Sequence, residues 1–70
     1  MKNNLITIMS FTASHEAAIV RSFLESEGVF TVLQGEASAW LYPIPDAIQL
    51  QVREEDEEQA IDLLKQGGYL

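Results

Sequence analysis

Hydrophobic positions in the first half of the chain change from a strand pattern to a helix pattern. Residues 4–11, NLITIMSF, are rich in β-branched and aromatic side chains and predict a first strand. Beyond them, Ala17, Val20 and Leu24 recur at spacings of three and four, which is typical of one helical face. Gly28 stands where a left-handed glycine would end that helix.

The second half of the chain predicts two more strands and a second helix. Residues 29–34, VFTVLQ, have strand composition, and residues 47–53, AIQLQVR, alternate strictly between apolar and polar side chains. Acidic residues crowd the start of 54–66, which suits the positive end of a helix, and Gly67 and Gly68 end it. The positions predicted to be buried in these two elements are Ile48, Leu50, Val52, Ala60, Ile61, Leu63 and Leu64.

The predicted order β-α-β-β-α indicates one α+β domain spanning residues 1–70. A strand-helix-strand unit favours a right-handed crossover, and a third strand commonly inserts antiparallel between the first two, as in ferredoxin-like folds. We therefore expect a truncated ferredoxin-like sandwich, with both helices on one face of a three-stranded sheet. No fourth strand is predicted, so the first strand is expected to be an open edge.

Two of the predicted strands carry more apolar residues than one buried face can accommodate. Strict alternation in the first strand places Leu5, Met9 and Phe11 on one face and Ile6 and Ile8 on the other. The second strand is apolar on both faces as well. Because two helices cover only one face, apolar surface should remain outside, and such surface together with an open edge favours self-association or a protein partner.

Charge and composition exclude several classes of function. The net charge is −7, with only four cations, so nucleic-acid binding and attraction to an anionic membrane are not expected. No apolar run approaches the ~18 residues of a membrane span. The apolar stretch near the start is too short for a signal peptide and is interrupted by polar residues. The absence of Cys fits a cytoplasmic protein, and with a single histidine, His15, it excludes an ordinary structural zinc site.

Two acidic features could carry catalysis or metal binding, but neither has the expected spacing. Consecutive acids in EEDEE, residues 54–58, point around a helix and do not converge on one cation. His15 and Glu16 are adjacent, so on a helix they do not face each other as a base and its orienting carboxylate. The sequence predicts no catalytic residue, metal ligand or cofactor. The alternative is a small hydrolase or metal-dependent enzyme whose site forms between subunits from residues such as His15, Glu16 and Asp56.

The segment between the second and third strands, residues 34–47, is the predicted interaction segment. It contains the only Trp, one of the two Tyr and both Pro of the chain. Trp and Tyr are enriched at binding hot spots, and proline lowers the entropy cost of ordering a loop. Equally, a domain this small needs its large side chains in the core, so the same segment could cover its own core instead. The candidate contact residues are Glu36, Trp40, Leu41, Tyr42, Ile44 and Asp46.

Several of these motifs together resemble a family of small bacterial signal-transducing proteins of unassigned function, which are similar to the nitrogen-regulatory PII proteins. The matching positions are Glu16, Ala17, Leu24, Glu25, Gly28, Val29, Leu50, Val52, Asp56, Ala60 and Leu64. The resemblance covers nearly the whole chain and implies a ferredoxin-like fold that associates through its sheet. Val29 stands where the family more often has Ile, and Arg53 where it often has Pro. The basic and glycine-rich nucleotide site of PII proteins is not found, so ATP binding is not implied.

The sequence thus predicts a cytoplasmic, non-catalytic regulatory or adaptor module. We expect it to form a homo-oligomer, a dimer or trimer, or to bind a protein or small-molecule ligand through its sheet face and the 34–47 segment.

Overall fold

A computed structural model of the protein describes residues 4–35 and 47–70. It contains three strands, two α-helices and one short 3₁₀ turn. In chain order they are β1 (Leu5–Phe11), α1 (Ser14–Ser26), β2 (Thr31–Gln34), β3 (Ile48–Arg53), the 3₁₀ turn (Glu54–Asp56) and α2 (Glu57–Gln66). This is the predicted β-α-β-β-α order. α2 begins three residues later than expected because the first acids form the 3₁₀ turn.

The three strands form one sheet in the order β1-β3-β2, and β3 is antiparallel to both of its neighbours. β1 and β2 therefore run parallel to each other on either side of β3, with α1 as their crossover. This confirms the predicted small α+β, ferredoxin-like arrangement. Among the described strands, β1 and β2 are the two edges of the sheet.

The core lies between the two helices and one face of the sheet, which we call the inner face. Alternate residues of β3 are fully buried there, as predicted, whereas Gln49 on the opposite, outer face is exposed. From the helical layer, Ala60 and Leu64 are also fully buried, while Ile61 and Leu63 are only half-buried. The buried core consists of Phe11, Ala17, Val20, Leu24, Val29, Ile48, Leu50, Val52, Ala60 and Leu64.

A β-bulge in β1 changes which of its residues face the core. Ile6 lies opposite Val52, but the register shifts between Thr7 and Met9, so that Met9 lies opposite Leu50. Directly opposite residues share a face of the sheet, and one inserted residue reverses the alternation beyond it. The predicted split of Leu5, Met9 and Phe11 from Ile6 and Ile8 is therefore wrong. The inner-face residues of β1 are Ile6, Met9 and Phe11, and its outer-face residues are Leu5, Thr7 and Ser10.

Both helices end at the predicted glycines. Gly28 has a φ of 86°, its N–H donates to the Glu25 carbonyl, and the Val29 N–H donates to the Leu24 carbonyl. These two hydrogen bonds satisfy the last carbonyls of α1. They require a residue in the left-handed backbone conformation, which glycine adopts without strain. Gly68, after α2, repeats it. Neither helix of the described residues is long and apolar enough to cross a membrane.

Candidate functional site

Residues 36–46 lie outside the described part of the chain, so the roles of Glu36, Trp40, Leu41, Tyr42, Ile44 and Asp46 stay predictions. The structure does describe the two ends of this segment, Gly35 and Ala47. A Cβ on Gly35 would overlap the Ala47 carbonyl oxygen, and the φ of Gly35 is 83°. The segment therefore leaves and re-enters the sheet at one point, next to the paired residues Gln34 and Gln49.

At the other end of the sheet, the outer face carries an exposed apolar cluster, which we call the Phe30 patch. Its members, Leu5, Phe30, Val32 and Arg53, line a shallow cleft of about 280 Å³. The side chain of Phe30 is 52% exposed and that of Leu5 is 39% exposed. Large apolar side chains of a small domain are normally needed in its core, so the exposure of Phe30 and Leu5 side by side on the outer face is unusual among the described residues.

Strand pairing brings together these four residues, which lie in or directly before three different strands. Leu5 lies directly opposite Arg53, and Val32 lies directly opposite Gln51. Gln51 and Arg53 are successive residues on the outer face of β3. Phe30 comes immediately before β2, and the Arg53 guanidinium lies 5.3 Å from its ring centroid. That distance is within the range of a cation–π interaction, which fixes both side chains at the surface.

Arg53 is also paired with a carboxylate. Its Nε donates to Oδ2 of Asp56 at 3.3 Å, and both side chains remain partly exposed. Asp56 belongs to the 3₁₀ turn directly after β3, so the chain supplies the partner three residues beyond Arg53. The guanidinium is thereby oriented over Phe30 while part of it still faces solvent.

The rest of the outer face is polar and uncharged. The Thr7 hydroxyl donates to Oε1 of Gln49 at 3.5 Å and accepts from Nε2 of Gln51 at 3.1 Å. Ser10 lies opposite Gln49 on the same face. These cross-strand contacts make an amide and hydroxyl surface beside the Phe30 patch, so the outer face has one apolar end and one polar end.

Charge is divided between the two layers of the fold. The three strands contain no acidic residue, and their one charged residue is Arg53. Every described acid lies instead in the helical layer or its connections: Glu16, Glu25, Glu27, Glu54, Glu55, Asp56, Glu57, Glu58 and Asp62. Although the net charge is −7, no described strand residue on the outer face is acidic, and the carboxylate of Asp56 reaches that face only as the partner of Arg53.

A second depression opens on the helical side of β1, near the end of that strand; we call it the Ile19 groove. It has a volume of about 320 Å³, and Ile19 in its wall is 55% exposed. The groove lies between β1, the first half of α1 and the turn after α2. Its lining residues are Met9, Phe11, Glu16, Ile19, Val20, Gly68 and Tyr69, so Glu16 is its single charged member.

The candidate catalytic residues are not brought together within one chain. His15 and Glu16 lie in the first turn of α1, directly after the end of β1, and both are exposed. Asp56 follows the end of β3 that pairs with the beginning of β1, so the length of the sheet, about 20 Å, separates it from them. Among the described residues, no group of three His, Cys, Asp or Glu is placed to hold a metal ion.

The Phe30 patch is a site that sequence patterns did not single out. Phe30 was one of several apolar residues in a strand expected to be apolar on both faces, and Arg53 was one polar residue of an alternating strand. The signal that unites them is the register of β2 and β3, which aligns Phe30 with Arg53.

Comparison of the chain with known protein families, curated proteins and solved structures finds no match.

Proposed function

We propose that the protein is a non-catalytic regulatory or adaptor module that self-associates through the outer face of its sheet. The observation that carries this proposal is the Phe30 patch, three apolar residues and Arg53 on a face whose described strand residues include no acid. The resemblance to small signal-transducing proteins agrees with a role in binding. In this proposal two copies pack outer face to outer face, with Phe30 near the centre of the contact.

The distribution of charge favours a second copy as the occupant of this face. Stacked sheets lie about 10 Å apart, and each helical layer lies a similar distance behind its sheet. The two helical layers of a face-to-face dimer, with the acids of α1 and α2, would therefore be about 30 Å apart, which is several Debye lengths at physiological salt, whereas Glu54 and Asp56 at the end of the sheet lie closer to the contact. Association by any helical face would bring the acids of both copies close together.

The size of the outer face limits the strength of this association. Three strands spaced about 4.8 Å apart and up to about 20 Å long cover roughly 300 Å² on each partner. Stable complexes bury about 800 Å² on each side, so the described face supports a transient dimer. A weak dimer that forms and dissociates readily suits a regulatory module, because its population follows protein concentration or a bound partner.

The proposal is tested by comparing Phe30→Glu with Ile19→Glu. The two side chains are almost equally exposed, at 52% and 55%, but they lie on opposite sides of the sheet. Sedimentation equilibrium from about 10 µM to 1 mM should show a concentration-dependent dimer for the natural protein. Phe30→Glu should weaken dimerisation by at least tenfold. It would bury a carboxylate in the interface, close to the same carboxylate of the second copy. Ile19→Glu should leave it unchanged.

Two results would contradict this proposal. The first is that the natural protein remains monomeric even at about 1 mM, the highest concentration of the sedimentation series. The other is equal weakening by both substitutions, which would reflect net charge and not a particular face. Circular dichroism of each variant establishes that the fold is retained.

Emission from Trp40 in the same dilution series tests the predicted role of the 34–47 segment separately. A maximum that moves to the red on dilution would place Trp40 in the interface. A blue maximum that stays constant would mean that the indole covers its own core, and the segment would then lose its predicted role in binding.

A further inference from the structure

We infer that the free edge of β1, together with the Ile19 groove beside it, binds an extended segment of another protein that carries basic residues at its ends. This surface shares Leu5 with the Phe30 patch but lies along the edge and inner face of the sheet, and it does not depend on the proposed self-association. The partner segment would add to the sheet as an extra strand next to β1, with alternate apolar side chains entering the Ile19 groove.

The edge of β1 has none of the usual features that prevent strand addition, apart from its bulge. Among the described strands only β3 pairs with β1, so no described strand pairs with the other side of β1. β1 is seven residues long, and LITIMSF contains no charged residue and no proline. Natural edge strands are commonly short or protected by charges or proline, as in the four-residue edge strand β2.

The Ile19 groove provides a place for the side chains of such a strand. A strand paired with β1 directs every second side chain toward the helices, at intervals of about 7 Å. On that side lie Met9 and Phe11 of β1 and the exposed Ile19 of α1. The groove volume of about 320 Å³ accommodates one or two aliphatic side chains. Backbone pairing would supply affinity, and the groove would select apolar residues at alternate positions.

Acidic side chains at both ends of β1 determine the charge of the partner. Glu16 lines the groove near the end of β1. At the other end, the Glu54 N–H donates to the Asn4 carbonyl at 2.9 Å, which places Glu54 beside the beginning of β1. Both side chains are exposed. An added strand with a Lys or Arg at each end would therefore meet opposite charges, and the net charge of −7 would accelerate its approach.

The same charges disfavour a second copy at this edge. Antiparallel pairing of two β1 strands across a two-fold axis would continue the sheet and bring both helical layers to the same side. Glu16 of one copy would then lie near Glu54 of the other, at both ends of the pairing. The opposite signs preferred by the two surfaces separate them: the outer face suits a copy of this chain, and the β1 edge suits a basic partner.

The inference is tested with a nine-residue peptide that has Lys at each end and alternating Val and Thr between them. Hydrogen exchange of the ¹⁵N-labelled protein, followed by NMR, should show new protection of amides in Leu5–Phe11 when the peptide is added. The same peptide with Glu at each end should bind at least tenfold more weakly, since it meets like charges at both ends. A version N-methylated at alternate backbone positions should not bind, because it cannot complete the strand pairing.

Variants of the protein separate this site from the Phe30 patch. Glu16→Gln should weaken binding of the Lys-flanked peptide about threefold, as expected for one exposed ion pair. Ile19→Glu should weaken peptide binding as well, because it removes an apolar wall of the groove. Phe30→Glu should leave peptide binding unchanged. The inference is overturned if no amide of β1 gains protection, if the Glu-flanked peptide binds equally well, or if Phe30→Glu alone abolishes binding. None of these results depends on whether the protein dimerises.

Discussion

The buried hydroxyl of Thr31 leads to a stability prediction that is independent of any partner. Thr31 faces the core opposite Val52 and is only 3% exposed, yet its Oγ1 has no hydrogen-bond partner among the described residues. A buried hydroxyl without a partner costs about 1 to 3 kcal/mol relative to a hydrated one. Thr31→Val removes this cost while keeping the branched shape that a strand favours.

We expect Thr31→Val to raise the free energy of unfolding by about 1 to 2 kcal/mol, within the cost of one unpaired hydroxyl. For a domain of 70 residues, each kcal/mol moves the melting temperature by about 4 to 8 °C. The melting temperature should therefore rise by roughly 5 to 15 °C. Urea unfolding at a fixed protein concentration measures the free energy directly, and the fixed concentration keeps any dimer contribution constant.

Thr7→Val is the matched control for this prediction. Thr7 lies on the outer face, where its hydroxyl both donates to Gln49 and accepts from Gln51. The same substitution there removes bonds that are made, so it should lower stability by up to about 1 kcal/mol. If Thr31→Val were neutral or as destabilising as Thr7→Val, the Thr31 hydroxyl would have to be hydrogen-bonded, and the reasoning from its burial would be refuted.

Two further predictions concern the base of the 34–47 segment and the core. Gly35→Ala should lower the free energy of unfolding by more than about 2 kcal/mol, because it combines a positive φ with overlap on Ala47. Gly28→Ala, also at a positive φ but in open space, should lower it by about 1 kcal/mol. Equal losses in urea unfolding would contradict the close approach of Gly35 and Ala47. Leu64→Ala should cost about 2 to 5 kcal/mol and largely unfold so small a domain, whereas Leu63→Ala, at a half-buried position, should cost about 1 kcal/mol; circular dichroism would reveal the difference, and similar losses would mean that the burial is wrongly assigned.

The elements that sequence patterns predicted best are those with one dominant physical constraint. β3 alternates strictly and has a neighbour on each side, so a slip by one residue would expose all of its apolar residues. α1 has a clear apolar face and a glycine at the position that its last carbonyls require. In both cases local preference and tertiary packing favour the same structure, and the insertion of β3 between β1 and β2 follows from common connections.

β1 could not be predicted in the same way because its apolar residues satisfy more than one register. Ile6, Met9 and Phe11 have an odd spacing between the first two, so a regular strand would bury only part of this set. The fixed apolar face of β3 decides the outcome, since a bulge at Ile8 lets all three lie on the inner face. This choice depends on a partner strand about forty residues away, which local periodicity does not contain.

The Phe30 patch was hidden from sequence reasoning for a related reason. Its residues come from the beginning of β1, the beginning of β2 and the end of β3, and only the sheet order makes them neighbours. The sequence does show that acids are absent from every predicted strand, but this becomes meaningful once the strands are known to share one outer face, opposite the helices.

Segregation of charge links the fold to both proposed contacts. Because the described acids occupy only the connections and helices, two sheets can approach without bringing acidic strand residues together, while the β1 edge remains flanked by Glu16 and Glu54. A face-to-face dimer would leave the β1 edge of each copy accessible, since that edge lies in the plane of the sheet and not on its outer face. Two such edges on one dimer could hold two basic segments at once, which would raise the effective concentration of the second after the first has bound. Weak self-association would then control how tightly a partner with two such segments is held.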